Sequence, residues 1–438
     1  MSHHSRNTLP RREIGFVRGE GAYFWDSTGK RYLDLCSQTL NLLFGQCHPT
    51  LVASVRRALT QFTFSDQDFH SPLHDKGRDA IAGLLPSHLE CFNLRMNDGS
   101  SAVECAVKQA RRVTGRSRVL TVRGIYLGQN MLCIHLRGLG DRPADLLNGS
   151  REDVVFAPMP WPDDAVAFER AEAENGTAIS RLVEQHADAL ACVIIDPIMI
   201  SSGVFGGRAM RIFCEKAAEA CGRCKVPLVF DECQSFGWVP DTTLAKHWDI
   251  PVDMICLGKG VGGGLPLAIC AARSEYDVLD FGDADYTNGG NNIAIASLIA
   301  SCKLIASKQE QDKFSHLAGV MRAAIDEGVG QRCDRVRTRG IGLIRCIEIT
   351  KTARGPLLST DGRSISQAIA RRCLQRGVYI RTYGACIAMK PPRVIDPSDL
   401  QTGIACIFSV IDEVLEENPA LHDEPFPDFS RAPVEAEA

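Results

Sequence analysis

The sequence predicts an α/β protein whose larger part is a mostly parallel sheet covered by helices on both faces. Three observations carry that reading. From Cys91 onward, short apolar runs alternate with helical patterns, the rhythm of β-α-β units. The runs are near-continuous in apolar residues, as strands buried on both faces are. The residues best suited to chemistry fall just after predicted strand ends, where such sheets place their ligand crevice. A chain of 438 residues is long enough for two lobes.

In order along the chain, Ala22–Trp25 and Arg31–Leu35 around the turn Asp26-Ser27-Thr28-Gly29 read as a hairpin. Pro49 opens a helix with apolar positions at Leu51, Val55, Ala58 and Leu59, and a second helix spans Asp75–Leu85 before Pro86. Seven strands follow: Cys91–Met96, Arg118–Val122, Asp153–Ala157, Ala189–Ile195, Pro227–Phe230, Met254–Leu257 and Leu267–Ala271. Helical patterns lie between them at Ala102–Val113 and Met210–Ala220. After Asn292 come helices at Ile293–Ser307 and Lys313–Gly328, a strand region at Gly342–Ile349 and a helix at Ser364–Arg376. Short strands around Val378–Arg381 and Cys386–Met389 precede a last helix, Ser398–Glu416. The expected division is an N-terminal segment, 1–62, a large domain, 63–312, a smaller α+β domain, 313–425, to which the first segment contributes, and a loose tail, 426–438.

Composition narrows the function classes. A net charge of −4 argues against nucleic acid or an anionic membrane as main partner. Met1–Gly15 lacks the apolar core of a signal peptide, and no apolar run reaches the ~18 residues of a membrane helix, so a cytoplasmic location is expected. The 18 cysteines are scattered singly, which reads as reduced thiols. Cys221-Gly222-Arg223-Cys224 has no second pair or suitably spaced histidines nearby, and no metal site is expected.

Four stretches carry candidate chemistry. Lys259 sits among glycines in Gly258-Lys259-Gly260-Val261-Gly262-Gly263-Gly264, where backbone approaches a ligand closely. An amine held between apolar walls suits imine formation with a carbonyl. Asp231 ends the apolar run Val226–Phe230, a costly place for a carboxylate unless it meets a cation or donors. The turn Asn97-Asp98-Gly99-Ser100-Ser101 opens a helix and suits either an anion or a plain N-cap. Tyr126 offers a flat face at another strand end, and Thr287 heads a glycine-rich turn.

In order and spacing the chain resembles the class III aminotransferases, pyridoxal 5′-phosphate enzymes of fold type I. The resemblance runs from about Gly19 to about Leu415. It rests on Trp25-Asp26-x-x-Gly29-Lys30-Arg31-Tyr32-Leu33-Asp34, Gly45-x-x-His48-Pro49 and Gly99-Ser100-x-Ala102-x-Glu104-x-Ala106. Further along it rests on Asp231-Glu232-x-Gln234, Lys259-x-x-Gly262-Gly263-x-x-Pro266 and Pro391-Pro392. The resemblance implies that Lys259 forms the Schiff base with the cofactor and shuttles a proton, and that Asp231 keeps the pyridine nitrogen protonated. It implies Gln234 beside the phenolic oxygen, Tyr126 stacked on the ring, and Gly99 and Ser100 at the phosphate. Thr287 would reach the phosphate of a neighbouring subunit, so a homodimer with shared sites is implied.

The departures bear on substrate. Relatives acting on amino acids often carry an arginine three residues before the paired prolines, clamping an α-carboxylate; here that position is Ala388. Asp196 stands for the usual glutamate before Pro197, Leu127 for a usual histidine, and Asn292 for a common proline. Arg381, in Arg381-Thr382-Tyr383-Gly384, is the remaining candidate for a carboxylate, with Trp25 and Leu127 as further substrate contacts. The expected reaction moves an amino group from glutamate or alanine to an aldehyde or ketone without a clamped α-carboxylate, such as an oxidised amino sugar in natural-product biosynthesis. An aminomutase, racemase or decarboxylase on the same cofactor is the alternative, and a catalytically silent scaffold a third reading that Lys259 and Asp231 argue against.

Overall fold

Seven strands make the central sheet, and four of them are buried at every position. β7 (Leu190–Ile195), β8 (Leu228–Asp231), β9 (Met254–Leu257) and β10 (Ala268–Ala272) contain no exposed residue, as expected where helices cover both faces. The computed structural model describes residues 14–138, 153–159, 168–204, 206–332, 336–349, 365–384 and 386–417. The tail 426–438 lies outside these residues.

The chain opens with β1 (Phe16–Glu20), β2 (Tyr23–Asp26) and β3 (Arg31–Asp34). Asp26 folds the turn between β2 and β3. Its carboxylate accepts from the Thr28 and Lys30 amides at 2.9 and 3.1 Å and from the Tyr32 hydroxyl at 2.7 Å. β4 (Cys91–Met96), β5 (Arg118–Val122) and β6 (Val154–Ala157) complete the central sheet, whose order is β4-β10-β9-β8-β7-β5-β6. β9, β8, β7, β5 and β6 pair in parallel, and β10 runs antiparallel to both its neighbours.

Later strands form a second small sheet: β11 (Val336–Ile341), β12 (Ile344–Ile349), β14 (Arg381–Tyr383) and β15 (Cys386–Met389), in the order β11-β12-β15-β14. The predicted strand Val378–Arg381 is in fact two. β13 (Val378–Tyr379) leaves to pair in parallel with β3, while Arg381 starts β14 against β15. Competition between two sheet edges divides the run, and the split ties residues 378–379 to residues 33–34. β11 escapes the sequence pattern because Arg337 and Arg339 interrupt its apolar residues. Both are neutralised across the ladder by buried Glu348, Arg339 at 2.6 Å. Helices Met131–Leu136 and Phe168–His186 were also not expected from the pattern.

Several helix starts lie earlier than predicted, and two of them have a clear local reason. Pro72 occupies the first turn of Pro72–Ala82, with its φ already set for a helix. Ser307 caps Lys308–Gly330 by accepting the Glu310 amide. No described helix is long and apolar enough to cross a membrane.

The long helix Lys308–Gly330 meets the final helix Pro397–Glu417 at Gly328. A Cβ there would lie 2.1 Å from Cε2 of the Phe408 ring, whereas one at Gly319 on the same helix would meet nothing within 4 Å. Gly328→Ala is expected to destabilise by about 1–3 kcal/mol through overpacking. Gly319→Ala is expected to stabilise by about 0.4–1 kcal/mol through the unfolded chain. Urea midpoints of the two variants, read against the parent, check both signs.

Candidate active site

Sheet register brings the candidate acid and amine together. Asp231, the last residue of β8, pairs with Cys256 of β9, and Lys259 follows three residues later (259 − 256). Both lie at carboxyl ends of adjacent parallel strands and line one cavity of about 1030 Å³. Gly99, Ser100, Tyr126, Gln234, Leu127 and Arg381 line the same cavity. Eight of the ten candidates therefore converge, from turns more than 280 positions apart between Gly99 and Arg381 (381 − 99 = 282).

The Lys259 backbone has φ 49°, in the left-handed region, and begins a short 3-10 turn, Lys259–Gly262. Such a backbone costs about 1–3 kcal/mol for a side chain with a Cβ and persists only where its surroundings enforce it. The surroundings are close here. A Cβ at Gly258 would lie 3.1 Å from Cys233 Sγ and 3.4 Å from Gly99 Cα, and one at Gly260 would lie 2.8 Å from the Trp238 ring. Glycine on both sides is what lets the main chain pass.

Asp231 is 4% exposed and accepts a hydrogen bond from the Cys233 amide at 3.0 Å. Burial pushes its pKa up, while the Cys233 thiol and the Lys259 charge pull it down. Its neighbour Glu232 has a different task. That carboxylate accepts from the Leu244 and Ala245 amides at 2.9 and 2.7 Å and from the Ser235 hydroxyl, holding the loop behind the site. Burial raises its pKa to about 7, against those three donors.

Gly99–Thr114 starts at the cavity, capped by Asp98, whose carboxylate accepts the Ser101 amide at 3.1 Å. The first-turn amides of this 16-residue helix make an anion-favouring end. Ser100 Oγ accepts the Gln129 amide at 3.1 Å, which draws the Tyr126 loop onto the helix end. Gly128, at φ 132°, has no room for a Cβ beside Ser100 Oγ. Tyr126 is half-buried and its hydroxyl accepts from Gln129 Nε2 at 3.0 Å.

These residues fit the pyridoxal phosphate that the resemblance implies. Gln234 Oε1 is buried without a hydrogen-bond partner, an orphaned polar atom in the cavity wall. A buried carboxylate, a glycine-flanked amine, a helix N-terminus and a flat aromatic complete a donor set for a phosphorylated cationic ring.

Two candidates lie elsewhere. Trp25 does not line the cavity; the β2 alternation buries Phe24 and Asp26 and turns Trp25 outward, under the Arg18 guanidinium 4.5 Å away. Thr287 is exposed on its turn, whose Asn288 and Asn291 share a smaller cavity of about 400 Å³ with Asn97, Leu265 and Pro266.

On the other side of the cavity, Arg381 pairs in register with Ala388 across β14 and β15. Its guanidinium donates to the Tyr383 hydroxyl at 3.3 Å. Asp196 is buried beneath, its Oδ1 accepting the Ile198 and Met199 amides at 3.0 Å each. Sequence reasoning missed the segment Thr39-Leu40-Asn41, Ser201 and Tyr383, which also line the cavity. Tyr383 was within reach of it, two residues past Arg381 on one strand.

Asp196 offers a pH test. Burial first, then the Asp231 charge, raises its pKa from 3.8 to about 7, with the two amides and Lys259 opposing. The folded state binds the extra proton between those values, so this group's contribution to stability falls as pH rises from 3.8 to about 7. Asp196→Asn keeps an acceptor oxygen and cannot ionise. Its stability relative to the parent is therefore expected to climb across that window, measured as the difference in urea midpoints; a flat difference would count against a protonated Asp196.

Comparisons with known proteins place the chain by family and by fold. The family model described as Aminotransferase class-III matches residues 5–411. The [LysW]-aminoadipate semialdehyde/glutamate semialdehyde transaminase of Sulfolobus acidocaldarius is 28% identical over 315 residues, 70% of this chain and 76% of that protein. The acetylornithine aminotransferase of Gloeobacter violaceus is 27% identical over 413 residues, covering 93% and 95%. Among solved structures, the taurine:2-oxoglutarate aminotransferase of Bifidobacterium kashiwanohense, in complex with PLP and glutamate, superposes with a TM-score of 0.85. It is 20% identical and covers 95% of this chain and 96% of that one.

Proposed function

The chain belongs to the class-III aminotransferases, and from that premise we propose that it moves an amino group from glutamate or alanine to an aldehyde or ketone. In this reading the acceptor's reacting end carries no clamped α-carboxylate. The observation behind it is Ala388, a methyl group facing Arg381 across the strand pair where relatives often carry a clamping arginine. The Sulfolobus acidocaldarius relative is named for two semialdehydes, which supports an aldehyde acceptor. Asn41, Gln129, Ser201 and Tyr383 give the cavity wall several hydrogen-bonding groups, which suits a polyhydroxylated acceptor such as an oxidised amino sugar.

When bound, pyridoxal phosphate supplies an electron sink for the bond broken at the substrate's α-carbon. The chain's residues do the rest. Asp231 would hold a proton on the ring nitrogen through its buried carboxylate. Lys259 Nζ would carry the cofactor, and once freed by the donor amine it would take the proton from the substrate α-carbon and pass it to the cofactor's C4′ carbon, the second half running the same transfer backwards. Ser100, Gly99 and the helix N-terminus would hold the phosphate, with Tyr126 against the ring and Gln234 beside its phenolic oxygen. Thr287, exposed on its turn, is assigned to the phosphate of a second copy, which makes the working unit a homodimer.

Lys259→Ala is expected to lose at least the about 10²–10⁴-fold that a positioned general base supplies, with an unchanged melting temperature and no borohydride-fixed cofactor. Wild-type turnover in that variant would sink the assignment. Stopped-flow half-reactions across a panel of donors and oxo acceptors test the substrate reading. Aldehyde acceptors are expected to react fastest; tight conversion of ordinary α-amino acids and their 2-oxo acids alone would count against it.

A further inference from the structure

Lys390 carries a buried amine that none of the chemistry above uses. Its side chain is 0% exposed, among the largest fully buried side chains of the described residues. An ammonium at such a depth is costly unless something holds it, and a methionine would fill the same space without that cost. The amine is therefore explained by what it touches.

It touches two things. Nζ donates to the Leu40 carbonyl at 2.8 Å and sits 3.6 Å over the centroid of the Trp238 ring. Trp238 is fixed in turn by its Nε1–H, which donates to the Pro391 carbonyl at 2.9 Å. The main chain of Lys390 makes two more links to the same neighbourhood. Its amide donates to the Leu35 carbonyl at 2.8 Å, and its carbonyl accepts the Ser37 hydroxyl at 2.7 Å.

The segment so held is strained. Ser37, Gln38 and Leu40 have φ of 49°, 58° and 66°, three left-handed side-chain-bearing residues within four positions. Left to itself such a stretch would relax, because each residue has a lower-energy backbone available. Relaxation would move Thr39, Leu40 and Asn41, which form the cavity wall facing the Arg381 side.

We propose that Lys390 is a positioning residue whose amine, donated to the Leu40 carbonyl, locks the strained segment Ser37–Leu40 as the substrate-side wall of the cavity. The proposal rests on the reading of that cavity as the transaminase site. Burial and the positive charge of Lys259 push the Lys390 pKa well down, with Asp196 opposing; charged or neutral, the amine keeps an N–H for Leu40.

Lys390→Met preserves length and removes the donor. Amide hydrogen exchange across residues 37–41 of the resting holoenzyme is expected to rise at least about tenfold, because local opening there loses its restraint. The melting temperature is expected to change little, since relief from burying the amine offsets the Leu40 carbonyl left without its donor. In half-reactions with L-glutamate and L-alanine, KM is expected to rise about tenfold with kcat changed less than about threefold, the pattern of a lost binding wall. Lys390→Gln keeps a donor and is expected to recover part of the protection. Unchanged exchange at 37–41 in a folded variant overturns the proposal, and so does failure of both variants to fold, which would make the lysine a plain core element. Exchange is read without substrate, so a protein that transaminates neither amino acid would fail the transaminase reading while leaving this test intact.

Discussion

A carboxylate and an amine that share one cavity set the terms for the rest of this protein. Asp231 is nearly inaccessible, and burial drives it toward the neutral acid. The charge of Lys259 works against that drive, since an opposite charge in a low-dielectric cavity favours the ionised form. Neither group can be buried cheaply alone. Their meeting follows from parallel register, because β8 and β9 are neighbours that end at the same level. The sheet therefore does more than carry the site; its strand order decides which turns face each other.

Those turns are crowded, and the crowding explains the glycines. Gly99, Gly258 and Cys233 lie so close that a Cβ on either glycine would press on the Cys233 sulfur. Main chain from three turns thereby converges around the spot where the Lys259 backbone takes its left-handed conformation. Strain at Lys259 is held by this convergence rather than by any single bond. Glu232, buried behind and bound to the Leu244 and Ala245 amides, keeps the β8 turn from yielding.

Much of this was legible in the sequence where one physical cause dominated. The seven strands of the large sheet read clearly because burial on both faces demands continuous apolar runs. Asp231 and Lys259 read clearly because polar groups at the ends of such runs need a reason. Legibility failed where two causes competed. Val378–Arg381 looks like one strand, but two sheet edges claim its halves. Arg337 and Arg339 hide a strand whose charges are satisfied only by Glu348 on the next one. Trp25 belongs to a recognisable motif, yet a motif does not say which face of a hairpin its residues take. Leu40 contributes through its carbonyl and its φ, neither of which residue identity encodes.

The two halves of the cavity are held by different means. On one side, the Asp231 carboxylate, the Lys259 amine and the turn at Gly99 and Ser100 line the cavity with side chains and helix-end amides. On the opposite side, Arg381 pairs in register with Ala388, and its guanidinium is engaged with a tyrosine hydroxyl. Shape there depends on a strained main-chain segment stitched to residue 390 from both its side chain and its carbonyl. A wall made of backbone can alter its outline without losing a catalytic group, because the stitching lies outside the reacting atoms. Leu40 and Lys259 thus line one cavity while resting on separate supports, the first on residue 390 and the second on the turns around Gly99 and Cys233.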